Sequence, residues 1–246
     1  MSTIKTVIVT GSSSGIGRDV ARAVVARGDN VVLNGRDEAK LAAVAAELGA
    51  PERTATVVGD IGSPVTGSAL VAAAVERFGG VDVLVNNAGT FAATPFTEVT
   101  EEELTGYLDG NLKGAYFTTQ AVVRQLRAQG RGGSIVNIGT VLVTHPIAAI
   151  PASAPLASKG AIHALTTSLA AELAVDRIRV NAVAPGFVRT PLLQDANAEV
   201  FGGFALLERL GEVTETTAAV LYLADAEFVT GHILPVDGGF ISGRAA

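Results

Sequence analysis

The chain contains no cysteine. That excludes disulfides, thiolate metal sites and a cysteine nucleophile. Charge is also sparse: Asp, Glu, Lys and Arg together make up 17% of 246 residues, against 48% hydrophobic residues. A chain this apolar is not disordered. Yet no stretch reaches the ~18 uninterrupted apolar residues that a membrane span needs. Basic residues are outnumbered, 18 Lys and Arg against 24 Asp and Glu, which argues against nucleic acid as the main partner. The opening Met1-Ser2-Thr3-Ile4-Lys5-Thr6 shows no basic region followed by an apolar stretch and a cleavage site. No signal peptide is expected, and a cytoplasmic setting follows as the default.

Glycine, by contrast, is abundant. The chain has 28, a share well above the usual ~7%, as expected of many tight turns or close backbone approaches. Short β-branched runs alternate with longer Ala- and Leu-rich segments. The runs are Thr6–Thr10, Val31–Leu33, Thr54–Val58, Val81–Val85, Ser134–Ile138, Ile178–Val183 and His232–Val236. They are nearly continuously apolar, as strands covered on both faces are. Helix-like segments lie near 15–28, 37–48, 66–78, 101–129, 155–175 and 214–224. Asp37 is placed to cap the second of these with Gly49 past its end, and Thr100 with Glu103 has capping-box spacing. This alternation implies βαβ units: an α/β fold, a doubly wound parallel sheet of about seven strands in one Rossmann-type domain over 1–246. The stretch 191–210 breaks the rhythm. It is weakly periodic, carries Gly202-Gly203, and stands where a lid over the strand C-termini is expected.

The first strand runs into Thr10-Gly11-Ser12-Ser13-Ser14-Gly15-Ile16-Gly17 and a helix. Glycines there permit a tight turn, and the helix N-terminus offers N–H groups and partial positive charge to a phosphate. The spacing G-x-x-x-G-x-G departs from the common dinucleotide fingerprint, and a plain Gly/Ser turn is the alternative. The same residues match the G-x-S-x-G nucleophile elbow of hydrolases, centred on Ser13, for which His163 or His232 would have to serve as base. After the second strand, a carboxylate would favour NAD. This chain offers Asn34 and then Arg36. An arginine can pair with a 2′-phosphate, favouring NADP with NAD possible, unless Arg36 is simply a solvated surface residue.

Further motifs follow in order: Gly59-Asp60-Ile61, Asn86-Asn87-Ala88-Gly89, Asn111, Ser158-Lys159, Arg179-Val180-Asn181, Pro185-Gly186 and Val236-Asp237-Gly238-Gly239. With the glycine loop, this series resembles the short-chain dehydrogenase/reductase family over essentially the whole chain. The resemblance implies hydride transfer between a nicotinamide and a carbonyl or alcohol substrate, with the protein handling the proton. It implies that Gly11, Ser13, Ser14, Gly15, Ile16 and Gly17 border the pyrophosphate and adenosine ribose, and that Asp60 and Ile61 border the adenine. It places Asn87, Ala88 and Gly89 along the cofactor trough. Val188 and Thr190, after Pro185-Gly186, meet the carboxamide; Lys159 reaches the nicotinamide ribose; Asn111 holds a water of the proton relay. It also implies a homo-oligomer, dimer or tetramer, built on the helices near 101–129 and 157–174.

One position departs from the pattern. The family's tyrosine acid stands four residues before the lysine, where this chain has Pro155. Proline suits a first helical turn, so the fold can stay intact while the acid is missing. The family's serine falls at Thr140, with the following loop about two residues longer than usual. Replacements for the acid are Lys159 itself or a water held by Lys159 and Asn111; hydroxyls at Thr140, Thr144 or Ser153; and His145, which otherwise is a solvent-facing loop residue. The alternative function is a non-catalytic dinucleotide binder, a sensor or partner subunit on the same scaffold. The apolar lid residues Leu192, Leu193, Phe201, Phe204, Leu206 and Leu207 suit an apolar or aromatic substrate, or else pack the lid shut.

Overall fold

The computed structural model describes residues 4–193 and 198–243. Met1–Thr3 of the N-terminal reading and 194–197 of the expected lid lie outside them. Seven strands form one parallel sheet: β1 (Thr6–Val9), β2 (Asn30–Gly35), β3 (Thr54–Val58), β4 (Val83–Asn86), β5 (Gly133–Ile138), β6 (Ile178–Pro185) and β7 (Ile233–Val236). Their order is β3-β2-β1-β4-β5-β6-β7, and every pairing is parallel. The order reverses between β1 and β4, the switch point at which open α/β sheets bind ligands.

The helices are α1 (Gly15–Ala26), α2 (Glu38–Leu48), α3 (Pro64–Phe78), α4 (Glu101–Tyr107), α5 (Gly114–Gln129), α6 (Ser153–Leu173), α7 (Ala198–Gly202) and α8 (Val213–Asp225). The strands' apolar runs are sorted by the two-residue period of the pleat. Val7, Val9, Val31, Leu33, Val83 and Val85 face α1, α2 and α8, meeting Val20, Val24, Leu41, Val220 and Leu223. Ile8, Val32, Leu84, Ile135 and Val180 face α3, α5 and α6, meeting Leu70, Val122, Leu126 and Leu173. Burial on both faces explains why β1 and β4 read as unbroken apolar runs, while the edge strands β3 and β7 are only partly covered.

Two local expectations need correction. The single helix expected over 101–129 is interrupted: Leu108–Lys113 is a π turn between α4 and α5. Such turns are rare and concentrate at functional sites, and this one carries Asn111. The capping box at Thr100 forms only in half. Thr100 Oγ1 accepts from Glu103 N–H at 3.1 Å, but the Glu103 carboxylate takes a hydrogen bond from Thr94 Oγ1 at 2.6 Å instead of reaching back. Asp37 caps α2 as expected, accepting from Lys40 N–H at 3.0 Å, and Gly49 ends that helix at φ 63°.

Candidate active site

The glycine turn is held from below by the segment that leaves β4. Asn87 Nδ2 donates to the carbonyls of Thr10 and Gly11, both at 2.9 Å, while Thr10 Oγ1 accepts from the N–H groups of Asn87 and Ala88 at 3.0 Å. There is no spare room. A Cβ on Gly17 would stand 2.3 Å from Asn87 Nδ2 and 2.5 Å from the Gly11 carbonyl. Gly11 itself adopts φ +62°, and a Cβ there would stand 2.7 Å from Ala88 Cα. Two motifs distant in sequence are therefore one structural unit. The turn exists because Gly11 and Gly17 allow it and Asn87 fastens it.

Above this unit the turn is open. Ser14 caps α1 with an extended backbone and no side-chain hydrogen bond, and the first turn of α1 carries no acid. The first N–H groups of α1 and its partial positive charge thus remain available to an anion. Across the opening, a Cβ on Gly15 would be 3.5 Å from Thr190 Cγ2. The loop leaving β6 therefore roofs the turn. Its base is fixed by Gly186 N–H to the Val236 carbonyl at 2.9 Å, and by Val188 pairing with Gly211. Pro185 ends β6, and Val188 is buried. This arrangement fits a dinucleotide diphosphate.

The β2 side of the turn is more exposed. Ser13 lies against Gly35, where a Cβ on Gly35 would stand 3.4 Å from Ser13 Oγ. Asn34 is buried and structural, donating to the Val57 and Gly59 carbonyls at 3.2 Å. Arg36 is exposed just beyond, with no ion pair among the described residues. The nearest acid, Asp37, is occupied with the N-terminus of α2, whose Lys40 N–H holds its carboxyl below the usual range. Asp60 turns its Oδ1 to Gly62 N–H at 2.9 Å. The Ile61 side chain belongs to the core, where a Cβ on Gly114 would press on it at 2.7 Å.

At the other end three expected residues converge. A Cβ on Gly89 would stand 2.9 Å from Asn111 Oδ1 and 3.3 Å from Lys159 Nζ. The Asn111 side chain, 1% exposed, is fully engaged. It accepts from Thr90 N–H at 2.8 Å and donates to the Thr90 carbonyl at 3.1 Å and to Ser158 Oγ at 2.9 Å. It is a clamp between the β4 loop and α6. Lys159 Nζ donates to the Ile138 carbonyl at 2.7 Å, at the end of β5. Burial, with no carboxylate to offset it, lowers its ammonium pKa to about 8. Thr140 stands two residues past Ile138, its Oγ1 accepting from Leu142 N–H at 3.3 Å. A hydroxyl that accepts still has its own proton to donate.

Pro155 lies buried in the first turn of α6, its carbonyl accepting from Ser158 Oγ at 2.8 Å. Sequence reasoning gave Ser158 no role and considered His163 only as a hydrolase base. The His163 ring fills the space that Gly139 leaves: a Cβ on Gly139 would stand 2.3 Å from its Nε2, which has no protein partner. Burial and the charge of Lys159 hold this imidazole neutral-leaning, with its pKa lowered. The signal was its spacing, one helical turn beyond Lys159. The hydrolase arrangement fails on geometry. Ser13 sits by β2 and His163 by the end of β5, three strands away, which at ~4.8 Å per strand is far beyond hydrogen-bond reach. His232 opens the far edge strand.

The comparisons with known proteins agree with this geometry. The family model for short chain dehydrogenases matches residues 5–200. The L-rhamnose 1-dehydrogenase (NAD(P)(+)) of Azotobacter vinelandii is 40% identical over 247 residues, covering 96% of each chain. A 3-alpha-(or 20-beta)-hydroxysteroid dehydrogenase of Mycobacterium tuberculosis is 36% identical over 243 residues, 98% of this chain and 91% of that one. The crystal structure of a short-chain type dehydrogenase/reductase from Mycobacterium marinum superposes with a TM-score of 0.91 at 32% identity, covering 97% and 96%. The chain belongs to the short-chain dehydrogenase/reductase family and is a nicotinamide-dependent oxidoreductase.

Proposed function

We propose that this oxidoreductase works with a proline, Pro155, where its family places the tyrosine acid, and that Lys159 moves the proton instead. The observation that carries the reading is the placing of the Lys159 amine, hydrogen-bonded to the Ile138 carbonyl, beside Gly89 and Asn111 and without a carboxylate partner among the described residues; desolvation lowers its pKa to about 8. When bound, the dinucleotide supplies or accepts a hydride at the nicotinamide C4. The chain's own residues do the rest. The glycine turn from Gly11 to Gly17 and the N-terminus of α1 hold the diphosphate. Asn87, Ala88 and Gly89 wall the trough, and Pro185, Gly186, Val188 and Thr190 close over it. Lys159 donates its proton to the carbonyl oxygen during reduction, or takes the hydroxyl proton during oxidation. Thr140 Oγ1 hydrogen-bonds the same oxygen, and Asn111 fixes the backbone around the amine. A buried amine near pKa 8 suits acid–base work near neutral pH.

Within this proposal NADP is the preferred cofactor, with NAD possible. The exposed Arg36 is free for a 2′-phosphate, and Asp37, engaged at α2, is turned away from a ribose. Asp60 and the Ile61 backbone border the adenine. Residues 191–210 act as a substrate lid. A homo-oligomer, dimer or tetramer, is built on α5 and α6, whose outer faces leave Tyr116 exposed beside Thr119, Gln120, Val123 and Leu169. Among the described residues no helix is long and apolar enough to cross a membrane, and a cytoplasmic setting completes the reading. The substrate is a carbonyl compound or alcohol; by their names, the two relatives above act on L-rhamnose and on hydroxysteroids.

The test is NADPH oxidation and NADP reduction with a panel of carbonyl compounds and alcohols, for the wild type and for Pro155→Tyr. Wild-type turnover that falls ~10²–10⁴-fold in Lys159→Met is the expected result. Tight cofactor binding with no turnover by the wild type, and turnover only in Pro155→Tyr, would establish the non-catalytic alternative.

A further inference from the structure

Four of the nine phenylalanines meet beside the roof of the trough. Phe187 leaves β6 directly after Pro185-Gly186; Phe201 and Phe204 come from the 191–210 stretch; Phe240 comes from the turn after β7. Phe187 lies 4.9 Å from Phe201, 5.6 Å from Phe204 and 6.2 Å from Phe240, ring centre to ring centre. Most of these contacts are edge-to-face, the arrangement aromatic rings prefer. The backbone, not the rings alone, sets the assembly. Gly211 N–H donates to the Phe187 carbonyl at 2.8 Å, and Leu207 N–H to the Gly238 carbonyl at 3.0 Å. The three segments are thus stapled at both ends of the cluster.

All four rings are only half-buried. The strongly exposed phenylalanines, Phe96 and Phe228, take no part in any ring contact with this group. A joined set of half-buried rings beside the roof of the trough leaves apolar surface in water, which is unfavourable and favours covering by an apolar ligand. One polar ring joins it: His145 stands 6.4 Å from Phe240, edge to face, with Nδ1 3.2 Å from Thr144 Oγ1. The solvent-facing loop residue expected from sequence is exposed, yet it forms the rim of this wall.

We propose that Phe187, Phe201, Phe204 and Phe240, rimmed by His145, select carbonyl compounds and secondary alcohols whose body is a flat apolar ring system. The inference rests on the oxidoreductase reading above and names the substrate class of that site. A ring laid against the exposed side of this wall stacks edge or face on the phenyl rings, and the His145 imidazole serves a polar substituent. A polyol laid on the same wall would lose water from each hydroxyl without finding partners among the phenyl rings. In the oxidative direction the alcohol carbon gives a hydride to NADP, which is reduced, while its O–H gives a proton to the chain; a ketone leaves.

The test separates binding from turnover. 1-Tetralone is titrated calorimetrically into the full chain saturated with NADP, and rates are read with 1-tetralol and with glucitol. Phe240→Ala, Phe204→Ala and Phe240→Leu are compared with wild type, with Phe228→Ala as control; NADP affinity reports that each variant is folded. The expected result is tetralone binding that weakens at least about tenfold in Phe240→Ala and in Phe204→Ala, less in Phe240→Leu, and not in Phe228→Ala, with unchanged NADP affinity. Tetralone binding without hydride transfer by any variant keeps the wall and overturns the oxidoreductase reading. Glucitol turnover exceeding that of tetralol, tetralone binding unaffected by both alanine variants, or no tetralone binding at all overturns the wall and leaves the oxidoreductase reading standing.

Discussion

The two ends of the trough are built on different principles. The end proposed for the diphosphate is made of backbone. Its shape follows from Gly11 at positive φ, from Gly17 pressed on Asn87, and from main-chain carbonyls held by one asparagine. The end proposed for the reaction is made of side chains: Asn111 from a π turn and Lys159 from α6 meet at Gly89, after β4. Shape written in backbone admits almost no substitution. Chemistry written in side chains tolerates more: α6 keeps its geometry with Pro155 in its first turn, where we propose that the family's phenol is missing.

The sharpest way to break this contrast is Gly17→Ala. The added methyl has nowhere to go without displacing Asn87 Nδ2 or the Gly11 carbonyl. Overpacking of this kind costs ~1–3 kcal/mol and moves backbone. We expect NADPH affinity to fall by about a hundredfold or more, read by calorimetric titration, while the thermal transition remains cooperative. Affinity within threefold of wild type would mean that the turn is not the diphosphate site.

Lys159→Met comes next and tests the other end. Loss of turnover by ~10²–10⁴-fold is expected, with NADPH binding weakened much less. The pH dependence of the wild type sharpens the point. The ammonium is the acid, and its pKa is lowered from 10.5 to about 8 by burial. Carbonyl reduction therefore falls as pH rises through about 8, and alcohol oxidation, which needs the free amine, rises through the same range. The stability sign is separate. Between about 8 and 10.5 the unfolded chain binds a proton that the folded chain does not, so Lys159 makes folding more favourable as pH rises across that window. Lys159→Met removes both dependences. A reduction rate flat from pH 7 to 10 would dismiss the lysine as acid.

The same contrast explains what could be read in advance. The order of strands and helices followed from alternating apolar runs, and the tight turn after β1 from glycine spacing, because both are local in sequence. Sequence motifs also placed Gly89, Asn111 and Lys159, which do meet. What local pattern could not supply was any consequence of helix register. The break at Leu108–Lys113 is an i+5 turn inside an otherwise ordinary helical stretch, with nothing in its composition to mark it. The pairing of Gly139 with His163 joins a strand end to a helix face across the sheet, and the Phe187–Phe240 contact joins two loops more than fifty residues apart. Such contacts depend on how elements pack, which periodicity does not encode.

The smallest effect sharpens the comparison from the side of α4. Thr100→Ala removes the hydroxyl that accepts from Glu103 N–H and leaves that donor to water. Loss of such a cap costs ~1 kcal/mol, which in a domain of this size lowers Tm by ~2–4 °C. Asn111 lies beyond the far end of α4, but three hydrogen bonds to Thr90 and Ser158 hold it. If those bonds rather than the helix end set the reacting geometry, the pH midpoint of reduction stays where it is in wild type. Thr100→Ser, which restores the acceptor, should recover the lost stability. A midpoint that moves with Thr100→Ala and returns with Thr100→Ser would instead tie the lysine's environment to the start of α4, and the side-chain end of the trough would then share the backbone dependence of the diphosphate end.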